Sequence, residues 1–303
     1  VVRALLIVSR LDAQLEDNLA RLKAQDYAGL RATVAVPGDG VVVPGNAGGE
    51  LADFLTAPVP SATEAIASRV NSILPEAIVC QYDPALGYGS AVNQAVAASE
   101  LGADSSDKAS LLFVCSDSIT LKSDTVSALV EQLLQLNAGV VAPKLVASND
   151  PLRLESVGFS IDKTGGKIPF TASGELDQGQ YDDLAEIFGV RSSCMLVRAD
   201  LMVALHGFSP EITFSGEDLD FCWRVNLATA KVALAHSLAV RYNGSGLESE
   251  GSARWGLESG GLAGATSGTA DPGRERNRRA SDRGAGAGAT SGAADPAPAT
   301  APV

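Results

Sequence analysis

"LLFVCSDSIT", residues 111–120, is an apolar run that stops abruptly at Ser116, Asp117 and Ser118. Its apolar residues are continuous rather than alternating, as in a strand buried on both faces. Such strands belong to parallel sheets covered by helices, and α/β proteins place their ligands at the carboxyl ends of these strands. A hard divalent cation prefers carboxylate oxygen, often with a substrate diphosphate completing its shell. Asp117 is therefore a candidate metal ligand, and Ser116 a candidate contact to a bound cofactor. The alternative is an Asp117 that only caps a turn.

The flanking sequence has the rhythm such a sheet requires. On the amino-terminal side, "ALLIVS" (4–9) reads as a buried strand, and "DAQLEDNLARLKAQ" (12–25) follows with Leu15, Leu19 and Leu22 at helical spacing. "RATVAV" (31–36) is a second strand. "SATEAIASRVNSIL" (61–74) is a helix with Ser61 as cap and Glu64 three residues on. "EAIVCQ" (76–81) is a strand and "SAVNQAVAASEL" (90–101) a helix. On the other side, "SDTVSALVEQLLQL" (123–136) predicts a helix and "AGVVAP" (138–143) a strand. This order predicts an α/β fold: a mostly parallel central sheet with helices on both faces. Beyond about residue 150, "LESVGFSIDKTGGKIPF" (154–170) reads as a hairpin and "SSCMLVRADLMVAL" (192–205) as a strand running into a helix. A helix from 217 and strands "KVALA" (231–235) and "LAVRY" (238–242) follow.

Composition narrows the function. The chain of 303 residues carries a formal net charge of −13, with no basic stripe outside its carboxyl-terminal part, which argues against a nucleic-acid partner. Its hydrophobic fraction of 46% suffices for a sizeable core up to about residue 245. Cys80, Cys115, Cys194 and Cys222 are far apart and lack C-x-x-C spacing, so they read as reduced, mostly buried thiols of a cytoplasmic protein. No stretch is long enough to cross a bilayer. From Gly244 onward Gly, Ala, Ser and Pro dominate, "ATSGTADP" recurs as "ATSGAADP", and the region 244–303 reads as a disordered tail. Its Arg cluster allows a tether or weak peripheral contact with an anionic membrane, while a solvated linker without function is the favoured reading.

Two further segments carry candidate chemistry. "GYGSAVNQAV" (87–96) follows the third strand, not the first, so it is no dinucleotide fingerprint. It reads either as a tight turn capped by Ser90 or as a helix start whose amides face a phosphate. "SGEDLDFCWR" (215–224) sets acids at the start of a helix. Ser215 and Asp218 fit a capping box, and the dipole favours acids there. At about 100° per residue, Glu217, Asp220 and Arg224 share a stripe that can be solvated, with Asp220 and Arg224 spaced for an ion pair. Asp218 instead falls with Phe221, Cys222 and Val225. A carboxylate on the apolar side of a helix start suits a general base.

These segments together resemble the family 2 glycosyltransferases, whose fold is GT-A. The resemblance covers nearly all of residues 3–242, through "LIVSRLDAQLEDNLARLKAQDY", "GYGSAVNQAV", "LLFVCSDSITL", "APKLV" and "GFSID". Most specific is "SSCMLVRADLMVALHGFSPEITFSGEDLDFCWRV". "ELDQGQ" (175–180) is similar to a segment of large actinobacterial members, where the transferase domain precedes a membrane region. The resemblance implies a GT-A domain over residues 1–243 that moves a sugar from a nucleotide-diphosphate donor to an acceptor hydroxyl with inversion. It implies Asp218 as catalytic base, with Glu217 orienting acceptor or base. Asp117 would hold Mg²⁺ or Mn²⁺ on the diphosphate, and Gly87, Gly89 and Asn93 would lie near the nucleotide. A glycan or lipid-linked acceptor, cell-wall or polysaccharide biosynthesis, and a place at the inner face of the cell membrane follow as expectations.

Three positions depart from the family pattern. Pro37 stands where the second strand usually ends in a base-reading Asp, with Asp39 two residues later. Cys115 replaces an Asp or Asn of the D-x-D-like motif. Tyr242 stands where many members have a metal-binding His, with His236 six residues earlier as a conceivable substitute. His206 reads as structural. A GT-A module that binds a nucleotide sugar or a partner without turnover is therefore the alternative to an active enzyme; a dehydrogenase or nucleotidyltransferase lacks its Gly-rich amino-terminal loop.

Overall fold

The computed structural model describes residues 1–9, 13–38, 62–100 and 110–244. All fall in one unit, Val1–Ser259. Ser61, Asp39 and the tail reading from residue 245 onward lie outside the described residues.

Strand β1 (Val2–Ile7) lies between β2 (Leu30–Pro37) and β4 (Leu111–Ser116), parallel to both, and β3 (Ile78–Tyr82) extends the sheet beyond β2. The continuous apolar runs are buried on both faces, as their patterning requires. Leu6 of β1 faces one core cluster with Leu15, Leu19 and Leu22 of α1 (Ala13–Lys23), Ile66 and Val70 of α2 (Ala62–Ile73) and Leu129 of α4 (Thr125–Gln135). Leu5 and Ile7 face the other, with Ala91, Val92 and Ala95 of α3 (Gly87–Glu100), Met202 of α5 (Ala199–Ala204) and Phe221 and Val225 of α6 (Glu217–Leu227). Helices thus cover both faces. No helix among the described residues is long and apolar enough to cross a membrane.

The second half departs from the simple rhythm. β12 (Cys194–Arg198) inserts between β4 and β6 (Val140–Ala147), antiparallel to both. β7 (Arg153–Ser156) joins the edge of β6. The hairpin expected over 154–170 is shorter: β8 (Phe159–Ile161) with β9 (Lys167–Pro169), as a separate two-stranded sheet. The two strands expected over 231–242 are one, β13 (Val232–Tyr242), parallel to β6, with a register shift between Ala235 and Ala239. That irregularity produced the apparent break in the apolar pattern. Its carboxyl end pairs with β5 (Ile119–Thr120), setting Tyr242 opposite Ile119.

"APKLV" and "ELDQGQ" meet through charge. Lys144, on the buried strand β6, donates to Asp177 at 3.1 and 3.2 Å and to Asp182 Oδ1 at 2.6 Å. Burial alone would push the ammonium down, but these hydrogen bonds outweigh it and hold Lys144 raised. Glu175 accepts from Thr171, Gln180, Tyr181 and the Ala172 amide, which holds its carboxyl at about 2. Both segments are explained by internal satisfaction of buried or turn charges. The four cysteines are free thiols, three of them buried, and burial pushes Cys222 up to about 12.

Candidate functional site

Helix α6 begins at Gly216, at φ +96°, and no side chain caps it. The expected Ser215–Asp218 capping box is absent. Glu217 and Asp218 are 6% and 7% exposed. This corrects the expected stripe: Asp220 and Arg224 pair at 2.6 Å as their spacing predicts, but Glu217 turns inward, where Ser192 Oγ donates to its Oε1 at 3.0 Å. Arg224 Nη1 also donates to the carbonyls of Leu205 and Gly207, at 2.7 and 2.9 Å, fastening the helix to the "HGF" turn. Asp218 Oδ1 accepts from the Leu219 amide at 2.8 Å. Its Oδ2 accepts from Lys167 Nζ of β9 at 2.5 Å, and that ammonium sits 4.2 Å over the Phe159 ring.

Burial, then the neighbouring Asp218 charge, holds the Glu217 carboxyl above the ordinary carboxylate range. The folded state therefore keeps the Glu217 proton to higher pH than the unfolded chain does. Stability falls as pH rises from the ordinary value of 4.5 through the raised one. Glu217→Gln should raise stability above that window by about 1 kcal/mol, with little change below pH 4. Urea melts at several pH values read this slope.

The glycine segment is the first turn of α3, entered through a 3₁₀ turn, Pro84–Leu86, that Asp83 caps. Ser90 lies inside the helix, so the expected Ser90 cap is corrected. A Cβ on Gly87 would stand 1.9 Å from the Thr213 carbonyl oxygen, and one on Gly89 would stand 2.9 Å from Phe208 Cβ and 3.5 Å from Glu217 Cβ. These glycines let α3 dock against the start of α6. Asn93 fixes the same junction: its Nδ2 donates to the Phe208 carbonyl at 2.8 Å, and the Phe208 amide donates to its Oδ1 at 2.9 Å.

Asp117 stands at the carboxyl end of β4. Its Oδ2 accepts from both the amide and the hydroxyl of Ser9 at 2.6 Å, and its carbonyl accepts from Gln14 at 3.1 Å and Asn18 at 2.6 Å. Ser116 is buried, with its hydroxyl paired to that of Ser118. Cys115 faces the core. His236 lies in the irregularity of β13: Ala235 and Tyr242 stand opposite Pro143 and Ala147, four residues apart on β6, so the histidine is roughly 13 Å along the strand from Tyr242. His206, at φ +58°, is a turn residue. Pro37 ends β2 with its carbonyl held by Thr63 Oγ1 at 2.7 Å. No group of three His, Cys, Asp or Glu that could hold a metal occurs among the described residues. Among the described residues Asp117 would offer a cation one carboxylate, with Oδ2 already taking two hydrogen bonds, so the donor phosphates would have to complete most of its shell.

The pieces meet at Ser192 and Ser193. The Ser193 carbonyl accepts from the Ser116 amide at 2.9 Å, the Ser192 carbonyl accepts from Tyr88 Oη at 3.2 Å, and Ser192 Oγ reaches Glu217. The end of β4, the start of α3 and the start of α6 are thereby brought together. Beside them lies a small polar depression of about 100 Å³, lined by Lys167, Arg191, Phe214, Ser215, Gly216, Glu217 and Asp218. Asp117 is not in its wall; it stands one residue past Ser116. A larger hollow of about 380 Å³ lies by Tyr27, Arg31, Ile73 and Ala77. It sits at the amino end of β2, away from the strand ends that receive ligands in parallel sheets. The acid-lined depression is therefore the candidate site. Lys167 and Arg191 escaped the sequence reading, since a single basic residue beside "TGG" or "GV" carries no periodic signal.

No family model matches the chain, and no curated protein matches it in sequence. Solved structures do match. The crystal structure of S. aureus TarS aligns at TM-score 0.52 and 12% identity, covering 80% of this chain and 36% of that one. TarS 1–349 in complex with UDP aligns at 0.51 and 14% identity, and its complex with UDP-GlcNAc at 0.50 and 13%, over 60% and 58% of those chains. The chain thus spans about three fifths or less of these neighbours. The likeness shows the fold, α/β with a mostly parallel central sheet, as the sequence predicts.

Proposed function

We propose that this protein is a glycosyltransferase that moves a sugar from a nucleotide-diphosphate donor to an acceptor hydroxyl with inversion. One observation carries the reading: a nearly buried Asp218 carboxylate stands in the first turn of α6, faces a polar depression, and keeps company with a second buried acid. Solved complexes of a like fold with UDP and UDP-GlcNAc support a nucleotide-sugar donor. In this mechanism Asp218 takes the acceptor proton as the hydroxyl oxygen bonds to the anomeric carbon. The bond from that carbon to the diphosphate oxygen breaks, and its electron pair leaves with the nucleotide. Lys167 orients the base, and Glu217 holds base or acceptor. Ser116 and Asp117 border the donor's phosphate end, while Gly87, Gly89 and Asn93 build the wall between donor and base. No step runs through a metal.

The transferase unit is residues 1–243, with 244–303 as a tail. The acceptor class is a glycan or lipid-linked sugar at the inner face of a membrane, in polysaccharide or cell-wall biosynthesis. The second reading is a binding module without turnover, favoured by the Lys167 ammonium that occupies Asp218 Oδ2. Thermal shift with a panel of nucleoside diphosphates and their sugars tests the first claim. A ligand at about a hundred times its Kd adds about 2.7 kcal/mol of stability, and a flat response across the panel would refute nucleotide-sugar binding. Binding without donor hydrolysis would leave only the module.

A further inference from the structure

Arg191 occupies a place that the transfer reaction leaves for a cation. Tyr242 pairs with Ile119, and the next amide, of Asn243, donates to the Ser118 carbonyl at 2.9 Å. The Tyr242 ring is thus anchored beside the Asp117 turn. The Arg191 guanidinium lies 5.1 Å from the centroid of that ring. The same side chain lines the depression that holds Glu217 and Asp218. Two residues on, Ser193 accepts from the Ser116 amide. Arg191 therefore stands between the two ends of the site, the Asp117 turn and the candidate base.

In a direct displacement the leaving diphosphate departs on the side opposite the attacking hydroxyl, so it lies toward the Asp117 turn, away from the base. As the carbon–oxygen bond to the diphosphate breaks, the electron pair adds negative charge to the departing oxygen. A divalent cation would meet that charge, but among the described residues Asp117 alone would hold it, through a carboxylate whose Oδ2 already takes two hydrogen bonds. A guanidinium does meet it, by donating two parallel N–H bonds to phosphate oxygens in a fixed planar fork. The aromatic face beneath holds the guanidinium in place.

We propose that Arg191, seated on Tyr242, binds the donor's diphosphate in place of a divalent cation, so that nucleotide binding and sugar transfer proceed without metal. The inference rests on the nucleotide-sugar reading above. Its test is calorimetric titration of the full chain with UDP, or with whichever nucleoside diphosphate of the panel binds most tightly, in chelator and in Mn²⁺. Wild-type affinity should agree within about twofold between the two conditions. Arg191→Gln should weaken the diphosphate by about tenfold or more in chelator. It should leave the parent nucleoside unaffected, and Arg191→Lys should restore part of the loss. Loss of affinity of about tenfold in chelator for the wild type would overturn the inference, as would an Arg191→Gln protein that binds like wild type. If Arg191→Gln does not fold, the wild-type comparison and Arg191→Lys still decide: lysine must bind more weakly than arginine, because its point charge lacks the fork. A panel in which no nucleoside diphosphate binds refutes the nucleotide-sugar reading itself; metal-dependent binding refutes only the role given to Arg191.

Discussion

Asp218→Asn is expected to lower donor turnover by about 10²–10⁴-fold, the range a positioned general base contributes. Asparagine keeps the size of the side chain, but its single oxygen can accept from the Leu219 amide or from Lys167, not from both. What it cannot do is take a proton. Nucleotide affinity should hold or improve, because a negative charge beside the donor phosphates is removed. The drop should therefore fall in kcat. Steady-state donor hydrolysis, with and without acceptor, measures this. Equal hydrolysis by the two proteins would exclude Asp218 as base, whatever the nucleotide affinity.

Gly87→Ala is expected to destabilise the fold by about 3 kcal/mol or more. Two causes add. Gly87 sits at φ +80°, where a side chain strains the backbone, and the added Cβ would stand 1.9 Å from the Thr213 carbonyl oxygen. That oxygen is backbone, so relief requires the segment before α6 to move. The start of α6, and with it Asp218, would move too. Chemical denaturation should show the loss, at about 2–4 °C of melting temperature per kcal/mol for a unit of this size. Gly89→Ala should cost less, since its contact of 2.9 Å is with the Phe208 side chain. A Gly87→Ala protein as stable as wild type would mean that α3 and α6 do not dock as described.

The sequence by itself determined the layered half of the molecule. Continuous apolar runs such as 111–116 can only be buried on both faces, and the Leu15, Leu19 and Leu22 spacing can only line one helix face. Both signals are local periodicities. The side-chain directions of Asp218, with Phe221 and Cys222, and of the Asp220–Arg224 pair followed from helix geometry in the same way. The antiparallel insertion of β12 between β4 and β6 left no local trace, because strand partners are chosen by packing across long separations. Only the tertiary structure turned Glu217 inward. Helical spacing put it on a stripe free to face solvent, but Ser192 and the close approach of Gly89 filled that side. Lys167 and Arg191, 51 and 27 positions before Asp218 in the chain, were invisible as partners of the acids. Their meeting is a product of the hairpin and of the turn before β12, since electrostatic neighbours are set by distance in space and not along the chain.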